Sequence, residues 1–234
     1  NLGDGRAANL GAAGFDGEWL VIATPDIEWG AGSLDELIAA AGRWPRPGSL
    51  GPLIQEPDGS TYASGRSLPS LKTGAGHAVF ARIWPTNPWT RRYQQQQELT
   101  AAVERTCGWL SGSCLLLRNE AFRELEGFDP GYFMFFEDVD LGDRLGRAGW
   151  QNVYVPTARV THLGGHSWRS APERMIRAHH ASALRYLRRR YWRWYLAPLR
   201  LALRIGLGVR RWSELRASRR QRRRHSDRAG GPAT

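Results

Sequence analysis

The sequence predicts an α/β layer fold. Three observations carry that prediction. Apolar runs rich in β-formers alternate with segments of helical period. The runs stop at Pro, Asp or Gly. The clearest helix opens on acids set directly behind an apolar run, in YFMFFEDVDLGDRLGRAGW (132–150). In such sheets, ligands bind at the carboxyl ends of strands.

The elements follow in order. NLGDGRAANLGAAG (1–14) reads as a Gly-containing loop running into a helix. EWLVIATPD (18–26) reads as a buried strand with an acid at its C-terminal tip, Asp26. Ser33 and Glu36 form a capping-box pattern before LIAAA, a helix. GPLIQEPDGSTYASG (51–65) is a strand, a turn at Asp58-Gly59 and a second strand. Residues 66–106 hold Pro69, Pro85, Pro88 and a QQQQ run, and are read as a variable insertion or lid. CGWLSGSCLLLR (107–118) is a small-residue loop feeding a strand, and Asn119 caps the short helix EAFREL. Acids favour the first turn of a helix, which explains Glu137, Asp138 and Asp140. Leu141, Leu145 and Ala148 then share one face, and Gly149 suits the far end. QNVYVPTARVTHLGGHS (151–167) holds a strand at 152–155, then a strand or extended arm ending at His162 and Gly164-Gly165. Asp26, the 108–112 loop and the Glu137-Asp138 pair all fall at strand ends on this reading.

Charge divides the chain. At 234 residues it can hold one sizeable domain plus appendages. The net charge is +11, but residues 172–234 hold 18 Arg against Glu173, Glu214 and Asp227, a net of +15. The first 171 residues are therefore mildly acidic. ERMIRAHHASALRYLRRRYWRWY reads as a helix with Arg on much of its surface. In LAPLRLALRIGLGVRRW (196–212), Leu199, Leu203 and Leu207 sit among Arg200, Arg204 and Arg210–Arg211, the pattern of a basic amphipathic helix. The expected organisation is a globular domain over 1–171, a basic helical membrane-associating segment over 172–212, and a disordered Arg-rich tail over 213–234. Trp192, Trp194, Tyr195 and Trp212 suit an in-plane anchor on an anionic membrane surface. No nucleic-acid recognition motif accompanies the Arg clusters, so nucleic acid is not expected as a partner. No run of about 18–20 clean apolar residues predicts a spanning helix. Cys107 and Cys114 make neither a disulfide framework nor a metal spacing, which favours a reducing compartment.

Three pieces now stand together: GWLSGSCLLLRNEAF (108–122), GFDPGYFMFFEDVDLGDRLGRAGW (127–150) and VYVPTARVTHLGGHS (153–167). They resemble the second half of an inverting family-2 glycosyltransferase with the GT-A fold, a Rossmann-like nucleotide-diphospho-sugar transferase sandwich. TPDIEWGAGSLDELI, GPLIQEPDGS and NPWTRRY extend the resemblance to the actinobacterial rhamnosyltransferases of cell-wall linker synthesis. The resemblance implies transfer of L-rhamnose from dTDP-L-rhamnose, a nucleotide-sugar donor, to polyprenyl-diphosphate-linked GlcNAc. It places the enzyme peripherally at the cytoplasmic face of the plasma membrane, with Mg²⁺ or Mn²⁺ as cofactor. The family's first strand and its base-clasping acids would lie upstream of Asn1, so the domain is expected to be N-terminally truncated. Two alternatives stay open: a family-2 transferase using galactofuranose or a hexose, and a non-catalytic membrane-bound remnant.

The resemblance also assigns roles. Asp138 matches the catalytic base, with Glu137 beside it; helix capping is the alternative for both. An Asp with an ordinary pKa of about 3.9 is ionised at neutral pH, and the helix N-terminus favours that form. The apolar run 132–136 would exclude water from the site. Asp26 matches the last position of a D-x-D metal motif whose first carboxylate is here Thr24, and Glu28 either compensates or is solvated. His162, preferred to His166, matches the second metal ligand. Trp109, Ser111 and Gly112 match an acceptor-side loop, Trp109 either stacking on sugar or lying in the core. Arg6 and Asn9 fall where the family approaches the nucleotide. Arg144 either reaches diphosphate or pairs with Asp140 four residues back.

Overall fold

The computed structural model describes residues 2–62, 64–69, 102–163 and 172–229, the last ten as backbone only. The chain forms two compact units. One comprises Ala7–Asp129 and Asp138–Gly164. The other comprises Asn1–Arg6, Pro130–Glu137 and Gly165–Thr234. The sequence reading put its first boundary at 172; the structure instead groups the 130–137 stretch with the C-terminal helices.

The first unit is built on a sheet of β1 (Trp19–Ala23), β8 (Cys114–Arg118), β3 (Pro47–Gln55), β9 (Gln151–His162) and β2 (Ile27–Trp29), in that order. β4 (Thr61–Tyr62) pairs with β3, and β6 (Arg105–Cys107) with β9. β5 (Gly65–Arg66) and β7 (Trp109–Leu110) form a separate ribbon. β3 and β9 are parallel, while β8 runs antiparallel to both β1 and β3. The C-terminal ends of β1, β3 and β9 and the N-terminal end of β8 therefore share one edge.

Alternation places the core. Successive strand residues face opposite sides, and central strands buried on both faces read as continuous apolar runs. In β8, Leu115 and Leu117 pack with Phe122, Phe128, Leu141, Leu145 and Trp150. Leu116 between them joins Leu37, Ala40, Leu50, Val153 and Val155 on the other side. Helix α2 (Ser33–Ala41) covers that second face, and α3 (Asn119–Glu124) and α4 (Glu137–Arg147) cover the first. β9 is one strand where two were expected. Its register against β3 shifts between Pro52 and Leu53, opposite Val155 and Arg159. Pro156, which has no N–H to give, lies inside that irregularity.

The capping box at Ser33 does not form. Gly32 is the cap residue, in the left-handed region, with no side-chain cap bond. The Ser33 hydroxyl instead donates to the Arg159 carbonyl at 2.8 Å and accepts the Arg159 N–H at 3.0 Å. Ser33 thus satisfies backbone groups that the β9 irregularity leaves out of the ladder. Asn119 likewise is no cap; its amide donates to the carbonyls of Phe15 and Gly17. Of the expected insertion, residues 70–101 lie outside the described residues, as do Gly164, Gly165 and His166.

In the second unit, α5 (Pro172–Arg190) and α6 (Ala197–Ala229) form an antiparallel pair, with Arg219 beside Glu173 and Glu214 beside His180. The Arg200 guanidinium accounts for the turn between them. One of its nitrogens donates to the carbonyls of Tyr191, Trp192 and Arg193, at the C-terminal end of α5. α6 runs through Ala229, into the stretch read from the sequence as a disordered tail from 213. The apolar residues of α6 do not form one face. Leu199, Leu203 and Leu207 are half-buried, while Leu201, Ile205, Val209 and Trp212 are exposed on the opposite side.

The apolar run 132–136 belongs to this unit. Tyr132 is buried with Arg185 over its ring, and His179 meets Phe135 and Phe136 edge-on. The Ser182 hydroxyl donates to the Met134 carbonyl at 2.8 Å. Phe135 and Phe136 are both left-handed, with φ of 66° and 65°. Bulky residues hold that conformation only where packing over-determines it, at about 1–3 kcal/mol each. The described contacts of these aromatics are with α5, so packing on that helix explains an apolar run before the acids.

Candidate active site at the sheet edge

Asp138 sits in the first turn of α4. Its carboxylate accepts the Val139 N–H at 2.8 Å and the Gly112 N–H at 3.0 Å, one on each oxygen. A Cβ at Gly112 would stand 3.4 Å from the Asp138 Cβ, an ordinary van der Waals contact, so the loop lies close against Asp138. Desolvation raises the Asp138 pKa above the ordinary carboxylate range, and the two N–H groups pull against it. Burial outweighs the helix terminus that the sequence reading trusted. A base shifted toward neutrality is better matched to proton transfer near pH 7 than one at 3.9.

Asp26 and His162 meet at the same edge. The Ile27 position of β2 pairs with His162 of β9, and the Leu163 N–H donates to the Asp26 carbonyl at 2.9 Å. That register brings the His162 Nε2 to 3.3 Å from the Asp26 Oδ2, both side chains partly open to solvent. Thr24, next to Asp26, is held by the Ser113 carbonyl, which accepts its N–H at 2.9 Å. Ser113 follows Gly112, so one loop touches both the Asp26 turn and Asp138. A carboxylate oxygen beside an imidazole nitrogen is a donor set suited to a divalent ion. No group of three His, Cys, Asp or Glu that could hold a metal occurs among the described residues.

In the 109–112 loop, Gly112 touches Asp138 and Trp109 packs against Gly142, one turn further along α4. Trp109 is half-buried and donates its indole N–H to the Ser67 carbonyl at 3.1 Å. Ser111 is buried, its N–H held by the Ser64 carbonyl. Glu137 is buried at the first position of α4. Three expected residues are otherwise engaged. The Arg144 guanidinium bonds the Asp140 carboxylate at 2.7 Å and the carbonyls of Leu125 and Gly127 at 2.9 Å each. The intrahelical pair forms, and the two carbonyl bonds pin α4 to the 125–127 turn. Asn9 spends both ends of its amide on the Phe128 backbone. Arg6 donates to the Pro130 carbonyl. These ties position all three side chains within the fold. Burial pushes both thiols, Cys107 and Cys114, up to about 12, so neither is a thiolate at neutral pH.

Two residues escaped sequence reading. Arg66 lies over the rings of Tyr62 and Trp109, at 4.8 and 5.5 Å, and its charge favours the Asp138 carboxylate. It sits in a stretch without readable period. Asn152 is buried and donates to the carbonyls of Gly108 and Gly142 while accepting from the Ser49 hydroxyl. It ties the acceptor loop to α4. A polar residue at the start of an apolar strand was the available signal.

Comparisons with known proteins identify the family. Residues 74–197 match the family described as "Glycosyltransferase like family 2". The N-acetylglucosaminyl-diphospho-decaprenol L-rhamnosyltransferase of Mycobacterium tuberculosis is 51% identical over 96% of this chain and 76% of its own length. Rhamnosyltransferase WbbL of Escherichia coli K12 is 43% identical over 35% of this chain and 31% of its own. The solved structure of GalNAc-T7 with UDP, GalNAc and Mn²⁺ overlaps 69% of this chain and 30% of its own at 20% identity, with a TM-score of 0.47. The family match and the full-length relative together settle the class: this chain is a glycosyltransferase of family 2.

Proposed function

We propose that the protein transfers L-rhamnose from dTDP-L-rhamnose to polyprenyl-diphosphate-linked GlcNAc with inversion. The observation that carries this reading is the 51% identity to a rhamnosyltransferase named for that acceptor class, spread over 96% of the chain. The site geometry supplies the matching parts. Asp138 takes the proton of the acceptor hydroxyl as that oxygen attacks the anomeric carbon. The bond to the nucleotide diphosphate breaks on the opposite face, in one displacement. Gly112 and Val139 fix the carboxylate, and Trp109 offers an aromatic face beside it. Asp26 and His162 would hold Mg²⁺ or Mn²⁺. Such an ion, when bound, neutralises charge on the departing diphosphate. A lipid-linked acceptor places the work at a membrane surface, in this reading the cytoplasmic face of the plasma membrane.

The test supplies labelled dTDP-L-rhamnose, Mg²⁺ or Mn²⁺ and polyprenyl-diphospho-GlcNAc to the chain, beside an Asp138→Asn control. Label in the lipid fraction, lost in the control, is the expected result. Transfer only from another nucleotide sugar would overturn the donor and keep the class.

A further inference from the structure

We infer that the second unit carries a preformed docking face for an anionic lipid bilayer, centred on an exposed row of α6. The row is Leu201, Ile205, Val209 and Trp212, exposed by 59, 58, 61 and 56%. Its intervals of four, four and three residues put all four on one side of the helix, over a length of about 17 Å. Soluble surfaces scatter such residues singly; a continuous row marks an interaction site. Three more aromatics precede it: Trp192, Trp194 and Tyr195, exposed by 69, 84 and 53%. The Arg200 bonds to the 191–193 carbonyls fix that aromatic turn to the start of α6.

Charge complementarity selects the occupant. Arg204 and Arg211, both exposed, lie seven residues apart along one border of the row. Arg216 stands over the Trp212 ring at 4.1 Å, and Arg193 over the Trp192 ring at 5.8 Å. Guanidinium groups around apolar and indole side chains match a surface with phosphate outside and hydrocarbon beneath. Among the described residues, no helix is long and apolar enough to cross a membrane. The fit is therefore to a helix lying in the interface. This inference assigns the exposed row, not the half-buried Leu199, Leu203 and Leu207, to the bilayer. It does not depend on the donor sugar.

The experiment is co-sedimentation of the full chain with vesicles of 70:30 phosphatidylcholine to phosphatidylglycerol, against phosphatidylcholine alone. The wild type is expected to favour the anionic vesicles about tenfold or more, an advantage that falls with salt. Leu201→Gln/Ile205→Gln/Val209→Gln should lower binding about tenfold or more, with helical circular dichroism unchanged because these sites are exposed. Arg204→Gln/Arg211→Gln should erase most of the anionic preference. Brominated lipid should quench wild-type tryptophan fluorescence and quench a Trp212→Phe variant less. Undiminished vesicle binding by the triple variant would overturn the inference. So would a wild-type dimer that the triple variant loses, since a second copy would then cover the row. Binding of an RNA oligomer without vesicle binding would also overturn it. Vesicle binding without any sugar transfer would sink the rhamnosyl reading and leave the docking face standing.

Discussion

Asp138→Asn separates chemistry from folding at the centre of the site. In the wild type each carboxylate oxygen accepts one backbone N–H, from Gly112 and from Val139. Asparagine keeps one oxygen and turns an NH₂ toward the other donor, orphaning it at a cost of about 1–3 kcal/mol. Against that, the variant has no charge to desolvate, and desolvation is the main cause of the raised pKa of Asp138. A raised folded-state pKa contributes stability that is fully present below the unfolded value of about 3.9 and lost as pH rises through the folded value. The variant should therefore gain stability relative to wild type as pH rises above the ordinary Asp value of about 3.9. Catalysis behaves oppositely. Removing a general base costs about 10²–10⁴-fold, or about 3–5 kcal/mol of barrier. The acidic limb of the wild-type kcat/KM profile should lie above the ordinary Asp range. Initial rates of labelled transfer across pH, with thermal unfolding on the same samples, check both. Turnover within tenfold of wild type at neutral pH would refute the assignment of Asp138 as base.

Four further outcomes follow from single contacts. Asn152→Ala removes the partner of two carbonyls, at roughly 1–3 kcal/mol each, and should lower the urea midpoint and kcat together. Gly142→Ala would set a Cβ 2.6 Å from the Trp109 Cβ and 2.8 Å from the Gly108 carbonyl, so α4 must move and transfer should fall steeply in a still-folded protein. His162→Ala or Asp26→Ala should raise the Mn²⁺ concentration for half-maximal transfer about tenfold or more; an unchanged metal titration would remove the pair from that role. Arg144→Ala breaks three bonds and should lower stability by about 2–4 kcal/mol while leaving donor KM within about threefold. A large KM effect in a stable variant would return Arg144 to the diphosphate.

The layer fold was legible because its signals are local. Leu115, Leu116 and Leu117 form a continuous apolar run, and only a strand buried on both faces needs one. The resemblance singled out Asp138, His162 and Asp26, and the place of Asp26 after a strand singled it out independently; the structure puts Asp26 and His162 side by side. What escaped depends on partners distant in sequence. The Ser33-Glu36 spacing is a sound capping signal, yet Ser33 bonds Arg159, 126 residues away, because the β9 irregularity leaves backbone groups to satisfy. Arg144 had two open readings at sequence level, and its bonds to the carbonyls of Leu125 and Gly127 were in neither of them. Asn9 looked like a ligand contact for the same reason. A polar residue near a site is ambiguous until the backbone groups around it are placed.

The opening juxtaposition of aromatics and acids resolves in the same terms. The chain crosses from one compact unit to the other between Glu137 and Asp138. Before that point it is held by α5: the Met134 carbonyl by Ser182, and the rings of Phe135 and Phe136 by His179. After it, Asp138 is fixed by Gly112, and Gly142 by its close approach to Trp109. Two consecutive left-handed phenylalanines, Phe135 and Phe136, immediately precede Glu137. The strain at this junction is of order 1–3 kcal/mol per residue, and packing on α5 must offset it. Substitution of Phe136 by Gly would relieve the backbone but forfeit the contacts with His179 and Tyr186. The loss should exceed the gain, because the half-buried ring forfeits its partial burial and two ring contacts, together about 2 kcal/mol or more. A Phe136→Gly variant more stable than wild type would show that strain, not packing, dominates where the helix carrying Asp138 begins.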